Sequence, residues 1–285
     1  MGKGKSYPNF SVLMSVYKNE KADYLNIALN SIENQTVKPS EIILVEDGPI
    51  SNSLKKVILK HKQNFGTGFK IIKSPENIGL GAALRLGTKY VSTNWIARMD
   101  SDDYSVKNRF ELQLELIAKN SQLAIIGGQV SEFSSNISNI IGTRKVPTTS
   151  ESIYDFIKWR SPFNHPTVMI NKKKLLQVGG YVPYGKLEDY YLWARIISHN
   201  FEVANLPMSL VYMRVDSGMY KRRGNYENLK FIFKLRRYLY RNRILNRNEE
   251  MLGDLIMLAN LMLPSWLRKI AYQHVLHKRG NEHAK

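Results

Sequence analysis

The sequence predicts an α/β fold: a mostly parallel central sheet with helices on both faces, followed by a basic helical C-terminal extension. Three observations predict it. Short apolar runs alternate with amphipathic, helix-length segments through the first hundred residues, the pattern of parallel strands buried on both faces. Apolar residues make up 43% of the chain and charged residues 23%, enough of a core to exclude a disordered composition. Near residue 218 the composition shifts, and Lys221 to Arg247 carries ten Lys or Arg against one Glu.

Phe10 to Tyr17 predicts the first strand and Ala22 to Asn34 the first helix. Glu41-Ile-Ile-Leu-Val-Glu46 is a near-continuous apolar strand closed by Asp47-Gly48-Pro49. Ser51 to His61 predicts the second helix, with Ser51 or Ser53 as N-cap, since a serine hydroxyl accepts from the free amides of a first turn. Phe69 to Lys73, Leu80 to Val91 and Trp95 to Met99 predict a third strand, third helix and fourth strand. Ligands of such sheets bind beyond the carboxyl ends of the strands, so Tyr17, Glu46, Asp47, Asp100 and Asp102 are expected at one edge. Farther on, Arg109 to Asn120 predicts a helix, Leu123 to Phe133 a strand, and Ser134 to Ser150 a polar loop. His165 to Ile170 predicts a strand, Lys172 to Val178 and Leu187 to His199 two helices, and Phe201 to Leu206 and Leu210 to Val215 two short strands. A last helix is expected from Trp266 to Leu276.

At 285 residues the chain accommodates one large domain plus an appendage. The division expected is 1–217 for a catalytic domain and 218–285 for the basic region. The formal charge of +18 implies an anionic partner surface. The absence of cysteine excludes thiolate catalysis, disulfides and cysteine-ligated zinc. Met1 to Asn9 is polar and basic, so no signal peptide is expected. No window reaches the roughly 20 apolar residues of a spanning helix. Met251 to Leu263 comes nearest and holds Asp254 and Asn260.

The sharpest local signal is Met99-Asp100-Ser101-Asp102-Asp103 at a strand end. Side chains at i and i+2 on extended backbone share a side, so Asp100 and Asp102 can face one hard divalent cation alongside substrate phosphates. The bland alternative is an acidic turn capping the next helix. Glu46-Asp47-Gly48 offers carboxylates for a base or ribose at a second strand end, and equally reads as an ordinary Asp-Gly-Pro turn. Asn77-Ile-Gly79-Leu-Gly81 opens a helix where backbone amides favour anions, and Arg85 two turns in is a phosphate candidate or a solvated helix arginine. Glu188-Asp189 suits a helix N-terminus by charge alone, and also suits a general base facing an acceptor hydroxyl. His165, before a proline, is a cleft or a core histidine.

Taken in this order, these residues resemble glycosyltransferase family 2, enzymes of the GT-A fold, from about Phe10 to Val215. The first strand through Asn19 resembles the family's nucleotide loop, with Tyr17 in it, and Val45-Glu46-Asp47-Gly48 resembles its Val-Asp-Asp-Gly segment. Asn77-Ile-Gly79 with Arg85 resembles its Asn-x-Gly helix start. Asp100-Ser101-Asp102-Asp103 resembles its Asp-x-Asp metal motif, followed by the family-like Arg109-Phe-Glu-Leu-Gln113. The run Arg98-Met-Asp-Ser-Asp-Asp103 is similar to that of amylovoran, O-antigen and capsule enzymes. The resemblance implies a UDP-sugar donor and Mn²⁺ or Mg²⁺ at Asp100 and Asp102. Asp47 would contact the uracil, His165 and Glu188 would lie on the acceptor side, and Asp189 would be the base of an inverting transfer. It implies transfer of a hexose, galactose ahead of glucose or an N-acetylhexosamine, to a polyprenyl-diphosphate-linked saccharide. Two departures matter. The Arg-x-His segment of many relatives reads Arg214-Val-Asp216, and the Gln-x-x-Arg-Trp motif of processive synthases is absent, which implies transfer of a single sugar.

A nucleotidyltransferase of similar fold would carry a glycine-rich loop after the first strand, where Tyr17-Lys-Asn-Glu20 stands instead. A nucleic-acid-binding protein would account for the charge, but not for ordered acids that repel phosphate, so no nucleic-acid partner is expected. The basic region is either a set of solvated helices packed on the domain, or an attachment to an anionic membrane face with Phe231, Tyr238 and neighbouring aromatics dipping in. Each basic residue near such a surface contributes about 1 kcal/mol. The expected location is cytoplasmic, peripherally attached to the inner face of the plasma membrane.

Overall fold

The structure is a computed structural model that describes residues 6–134, 136–215 and 229–262, with side chains to residue 256. The division near 217, Asp216 and the expected helix from Trp266 to Leu276 lie outside the described residues.

The first half alternates as expected: β1 (Phe10–Val16), α1 (Ala22–Glu33), β2 (Glu41–Asp47), α2 (Asn52–Phe65), β3 (Phe69–Ser74), α3 (Leu80–Thr88) and β4 (Trp95–Met99). Then come β5 (Tyr104–Ser105), α4 (Arg109–Lys119), β6 (Leu123–Phe133), β7 (Ile140–Arg144), α5 (Ser150–Phe156), β8 (Met169–Asn171), α6 (Lys172–Gln177), α7 (Glu188–Ser198) and β9 (Glu202–Arg214). Two more helices, α8 (Leu229–Arg241) and α9 (Arg247–Met262), close the described chain. The nine strands form one sheet in the order β3-β2-β1-β4-β8-β6-β9-β5, with β7 added to β6. The pairings of β1, β2, β3, β4, β6 and β9 give these six strands one direction, against which β5, β7 and β8 run antiparallel.

Strand alternation sends Val12, Met14 and Val16 of β1 into a core shared with α1, α2 and α4. Leu13 of β1, with Ile43 and Val45 of β2, faces the opposite core, shared with α3, α5, α6, α7 and α8. Continuous apolar strands are therefore the consequence of two cores, not of one.

Five elements depart from the sequence expectation. β7 occupies part of the predicted loop; its Ile140 and Ile141 are exposed, so it lacks the alternation that marks a half-buried strand. α5 was not anticipated and is set by a capping box in which Thr149 and Ser152 satisfy each other's amides. The predicted strand at His165 begins instead as a 3₁₀ turn, His165–Thr167, because Pro166 has no N–H for a ladder. The two predicted final strands are one, β9: it stays paired to β6 while its register shifts between Leu206 and Ser209, where Pro207 and Met208 bulge out. α3 also stops at Thr88, where the Thr88 hydroxyl donates to Leu84 O and the next amides tighten into i→i−3 bonds.

The family-like Arg109 and Gln113 are a buried brace. The Arg109 Nη2 donates to Arg98 O (2.8 Å) and its Nε to Gln113 Oε1 (3.2 Å). The Gln113 amide donates to Ile126 O (2.9 Å) and Thr167 O (2.8 Å). One helix face thus ties β4, β6 and the His165–Thr167 turn together just before the acidic loop. Gln113→Leu strips donors from two buried carbonyls, and at about 1–3 kcal/mol for each orphaned group its unfolding free energy should fall by about 2–6 kcal/mol, read as a lower urea midpoint at unchanged slope. An unshifted midpoint would show that the brace adds no stability.

Candidate active site

The register of the sheet sets the site. Val16 pairs with Glu46 and Met14 with Met99, so the ends of β1, β2 and β4 open at one edge. There a cavity of about 640 Å³ is lined by Tyr17, Asp47, Asn77, Asp100, Ser101 and Asp102, among others, a size in the range of small-molecule sites. Glu46, one residue from Asp47, lies buried outside this lining, since alternation turns it to the face of Ile42 and Leu44. Arg85 is exposed on α3 outside the lining, where its charge acts on Arg195.

Asp47 is buried and its carboxylate is engaged by the following loop. It accepts from Ile78 N (2.7 Å), Gly79 N (3.1 Å) and Asn77 Nδ2 (3.1 Å). The chain comes so close that a Cβ on Gly48, at φ +83°, would sit 2.7 Å from Asn77 N. Asp47 therefore shapes the cavity floor by holding the 77–79 loop against the end of β2.

The acidic loop holds three carboxylates. Asp100, Asp102 and Asp103 each present an oxygen within 4.8 Å of the others. Burial, followed by the charges of Asp100 and Glu20, pushes Asp102 up to about 7. Burial, then Asp100 and Asp102, holds Asp103 well above the ordinary carboxylate range. Asp103 Oδ2 is buried with no hydrogen-bond partner, while Oδ1 accepts from Arg214 N (2.9 Å). An all-oxygen, electrostatically crowded set with an unsatisfied buried oxygen fits a hard divalent cation.

Three residues around the acids, Glu20, Arg214 and Arg98, are not among the site residues that the sequence suggests. Glu20 accepts from the Ser101 hydroxyl (2.6 Å) and fixes the loop against the end of β1. Asp103 joins the pair expected from the i and i+2 rule. Arg214 lies 3.7 Å over Tyr24 and 4.6 Å over Phe133, and its Nε donates to Asp102 O (3.3 Å). Arg98 is buried and ion-paired with Asp100. Only the last has a local signal, a charged residue inside an apolar strand.

Arg98 also connects the acids to the expected acceptor side. Its charge acts on His165, Tyr181 and Glu188. His165 packs 5.8 Å from both Tyr181 and Trp193, and its Nε2 lies 3.3 Å from the Tyr181 hydroxyl. Burial and then Arg98 lower its affinity for a proton well below that of a free imidazole, and it is buried outside the cavity lining. Glu188 and Asp189 begin α7 and stand outside the cavity lining. Glu188 packs over Gly81 of α3, where a Cβ would meet its own at 3.2 Å, and burial pushes it up to about 7. Asp189 Oδ1 accepts from Tyr190 N (2.7 Å), and its charge acts on Tyr181 as that of Asp100 does.

Comparison with known proteins places this geometry. The sequence model of Glycosyl transferase family 2 matches residues 11–180. The chain is 37% identical to a glycosyltransferase of Haemophilus influenzae over 94% of this chain and 99% of that one. It is 36% identical to the amylovoran biosynthesis glycosyltransferase AmsE of Erwinia amylovora, over 78% and 82%. It is 33% identical to the UDP-Gal:alpha-D-GlcNAc-diphosphoundecaprenol beta-1,3-galactosyltransferase of Escherichia coli, over 95% and 98%. Among solved structures, S. aureus TarS 1-349 in complex with UDP-GlcNAc superposes with a TM-score of 0.67 at 16% identity, covering 95% of this chain and 82% of that one. Mannosyltransferase PcManGT from Pyrobaculum calidifontis, in complex with GDP-Man and Mn2+, superposes at 0.64 and 13%, covering 95% and 81%. The fold is the GT-A fold.

Two outcomes test the site. Asp47→Ala should speed amide exchange across residues 76–82 at least tenfold, each lost bond contributing about 1 kcal/mol; unchanged exchange would remove Asp47 from that loop. Glu188 has a raised folded-state pKa, so its stabilisation is complete below the ordinary carboxylate range and is lost as pH rises towards 7. Urea titrations of Glu188→Gln should gain about 1–3 kcal/mol relative to the parent between pH 5 and 8. A difference constant with pH would show Glu188 to be solvated.

Proposed function

The chain belongs to glycosyl transferase family 2, and we propose that it moves a single hexose from a UDP-sugar to a polyprenyl-diphosphate-linked saccharide, inverting the anomeric centre. The observation that carries this is the meeting of the three carboxylates with Tyr17 and the Asp47-held loop in one cavity. The Escherichia coli relative's name supports the donor and acceptor, and galactose ahead of glucose or an N-acetylhexosamine. The solved complexes with UDP-GlcNAc and with GDP-Man and Mn2+ support a nucleotide-sugar and a divalent ion. The setting is bacterial surface polysaccharide synthesis at an anionic membrane face, which the lipid-linked acceptor of that relative supports. Among the described residues no helix is long and apolar enough to cross a membrane.

In this reading Tyr17, Asn77 and the amides of the Asp47-held loop bind the nucleotide, with Asp47 itself near the base. Asp100, Asp102 and Asp103 would hold Mn²⁺ or Mg²⁺. A bound divalent ion supplies positive charge where a diphosphate leaving group develops negative charge. Arg98 holds Asp100 in place and sets the field on the acceptor side. Asp189 takes the acceptor hydroxyl proton, with Glu188 beside it at the start of α7 and His165 behind it. Arg85 and Glu46 have no part that their positions support. Acids lining the cavity favour a phosphate ligand only with a cation between, which sets this reading above nucleic-acid binding, and the glycine-free loop after β1 sets it above nucleotidyl transfer.

Screening UDP-sugars against the purified protein should give metal-dependent turnover that chelation abolishes. Asp102→Ala should lower turnover at least 100-fold with unchanged circular dichroism, the loss expected when transition-state charge goes unmatched. Asp189→Asn should lower kcat about 10²–10⁴-fold. Parent rates in either variant would take that residue out of the reaction, and no turnover with any UDP-sugar would end the reading.

A further inference from the structure

Of the two readings of the basic region, helices packed on the domain or a membrane attachment through its aromatics, α8 follows the first. Leu235 and Leu239 are buried in the core. Tyr238 packs 5.4 Å from Tyr191 and its hydroxyl lies 2.9 Å from that of Ser198, while Phe231 packs 5.2 Å from Tyr184. Among the described side chains of the two helices, the exposed large apolar ones lie on α9.

α9 turns its polar side inward. Arg236 of α8, itself buried, donates from Nε to Asp254 Oδ1 (2.7 Å), from Nη1 to Lys158 O (3.2 Å) and from Nη2 to Glu250 O (2.9 Å). Its guanidinium lies against Gly253 so closely that any Cβ there would collide with it. Glu249 adds an ion pair to Lys158 (3.2 Å) and Glu250 one to Arg237 (3.6 Å). At about 100° per residue, residues 249, 250, 253 and 254 fall on one arc and residues 251, 252, 255 and 256 on the opposite one. The second arc is Met251, Leu252, Leu255 and Ile256, which are 56%, 52%, 61% and 52% exposed. A polar clamp thus holds the helix in one rotation, with its apolar stripe outward.

We infer that this stripe is the docking surface for an anionic lipid bilayer, with α9 lying along the interface. Charge selects the occupant. Residues 229–256 carry seven Lys or Arg and three acids, and all three acids are already paired, with Lys158, Arg237 and Arg236. The turn before α9 adds an open recess beside Arg241 and Arg243. A second copy docking on the stripe would bring this positive surface against itself, whereas anionic headgroups complement it while the stripe enters the acyl boundary. The choice of a bilayer rests in part on the proposed lipid-linked acceptor; the orientation of the stripe does not.

The test is flotation of the full chain with phosphatidylcholine vesicles, with and without about 30% phosphatidylglycerol, an anionic fraction strong enough to attract basic segments. The parent should partition onto the anionic vesicles, and the Leu252→Ser, Leu255→Ser, Ile256→Ser variant should partition at least tenfold less. Its turnover of UDP-sugar with a water-soluble acceptor should be unchanged, because these side chains are exposed and far in sequence from the acids. Parent-like flotation of the variant overturns the inference. So does a parent that sediments as a dimer while the variant sediments as a monomer, which assigns the stripe to a second copy. Vesicle binding by a parent that turns over no UDP-sugar would end the functional reading and leave the docking surface standing.

Discussion

Three carboxylates crowded at the end of one buried strand repel each other, and the surrounding structure is built to hold them there. Burial and mutual repulsion push Asp102 and Asp103 towards protonation, and Arg98 is the buried cation that opposes this. Such a cluster is costly to assemble, so it persists only where neighbours over-determine it. They do. Glu20 holds Ser101, Arg214 holds Asp103 and the Asp102 carbonyl, and Arg109 holds the Arg98 carbonyl. A hard cation removes the repulsion that the protein otherwise sustains, which is why the cluster is the feature on which the functional reading turns.

The brace behind the cluster links it to the opposite wall. Gln113 reaches the His165–Thr167 turn from α4, and His165 carries the contact on to Tyr181 and Trp193. Arg98 spans the same distance electrostatically, acting on Asp100 and Glu188. The acidic cavity and the start of α7 are therefore linked by buried side chains and by the field of Arg98. In the proposed transfer this link fixes the separation between leaving group and base, the geometry that inversion depends on.

The C-terminal helices show how one amphipathic sequence can be divided between two tasks. α8 is amphipathic in the ordinary sense and covers α7. α9 is tied to α8 by the contacts of Arg236, and among its described side chains Met251, Leu252, Leu255 and Ile256 stay exposed. Composition indicates a basic, aromatic-rich segment, but only packing shows which side chains remain available.

The sequence alone determined the strand–helix alternation, the parallel sheet edge and the grouping of Tyr17, Asp47, Asp100 and Asp102 at it. Those signals are local: apolar periodicity over a few residues, and side chains two apart on extended backbone. Tertiary structure alone decided that Glu46 turns away from the cavity, that Arg85 stays in solvent, and that Glu20 and Arg214 close around the acids. It also decided that β7 forms without an apolar pattern and that β9 continues past Pro207. These outcomes depend on which surfaces meet across long sequence separations, and residue order carries no term for that until the sheet has brought the partners together.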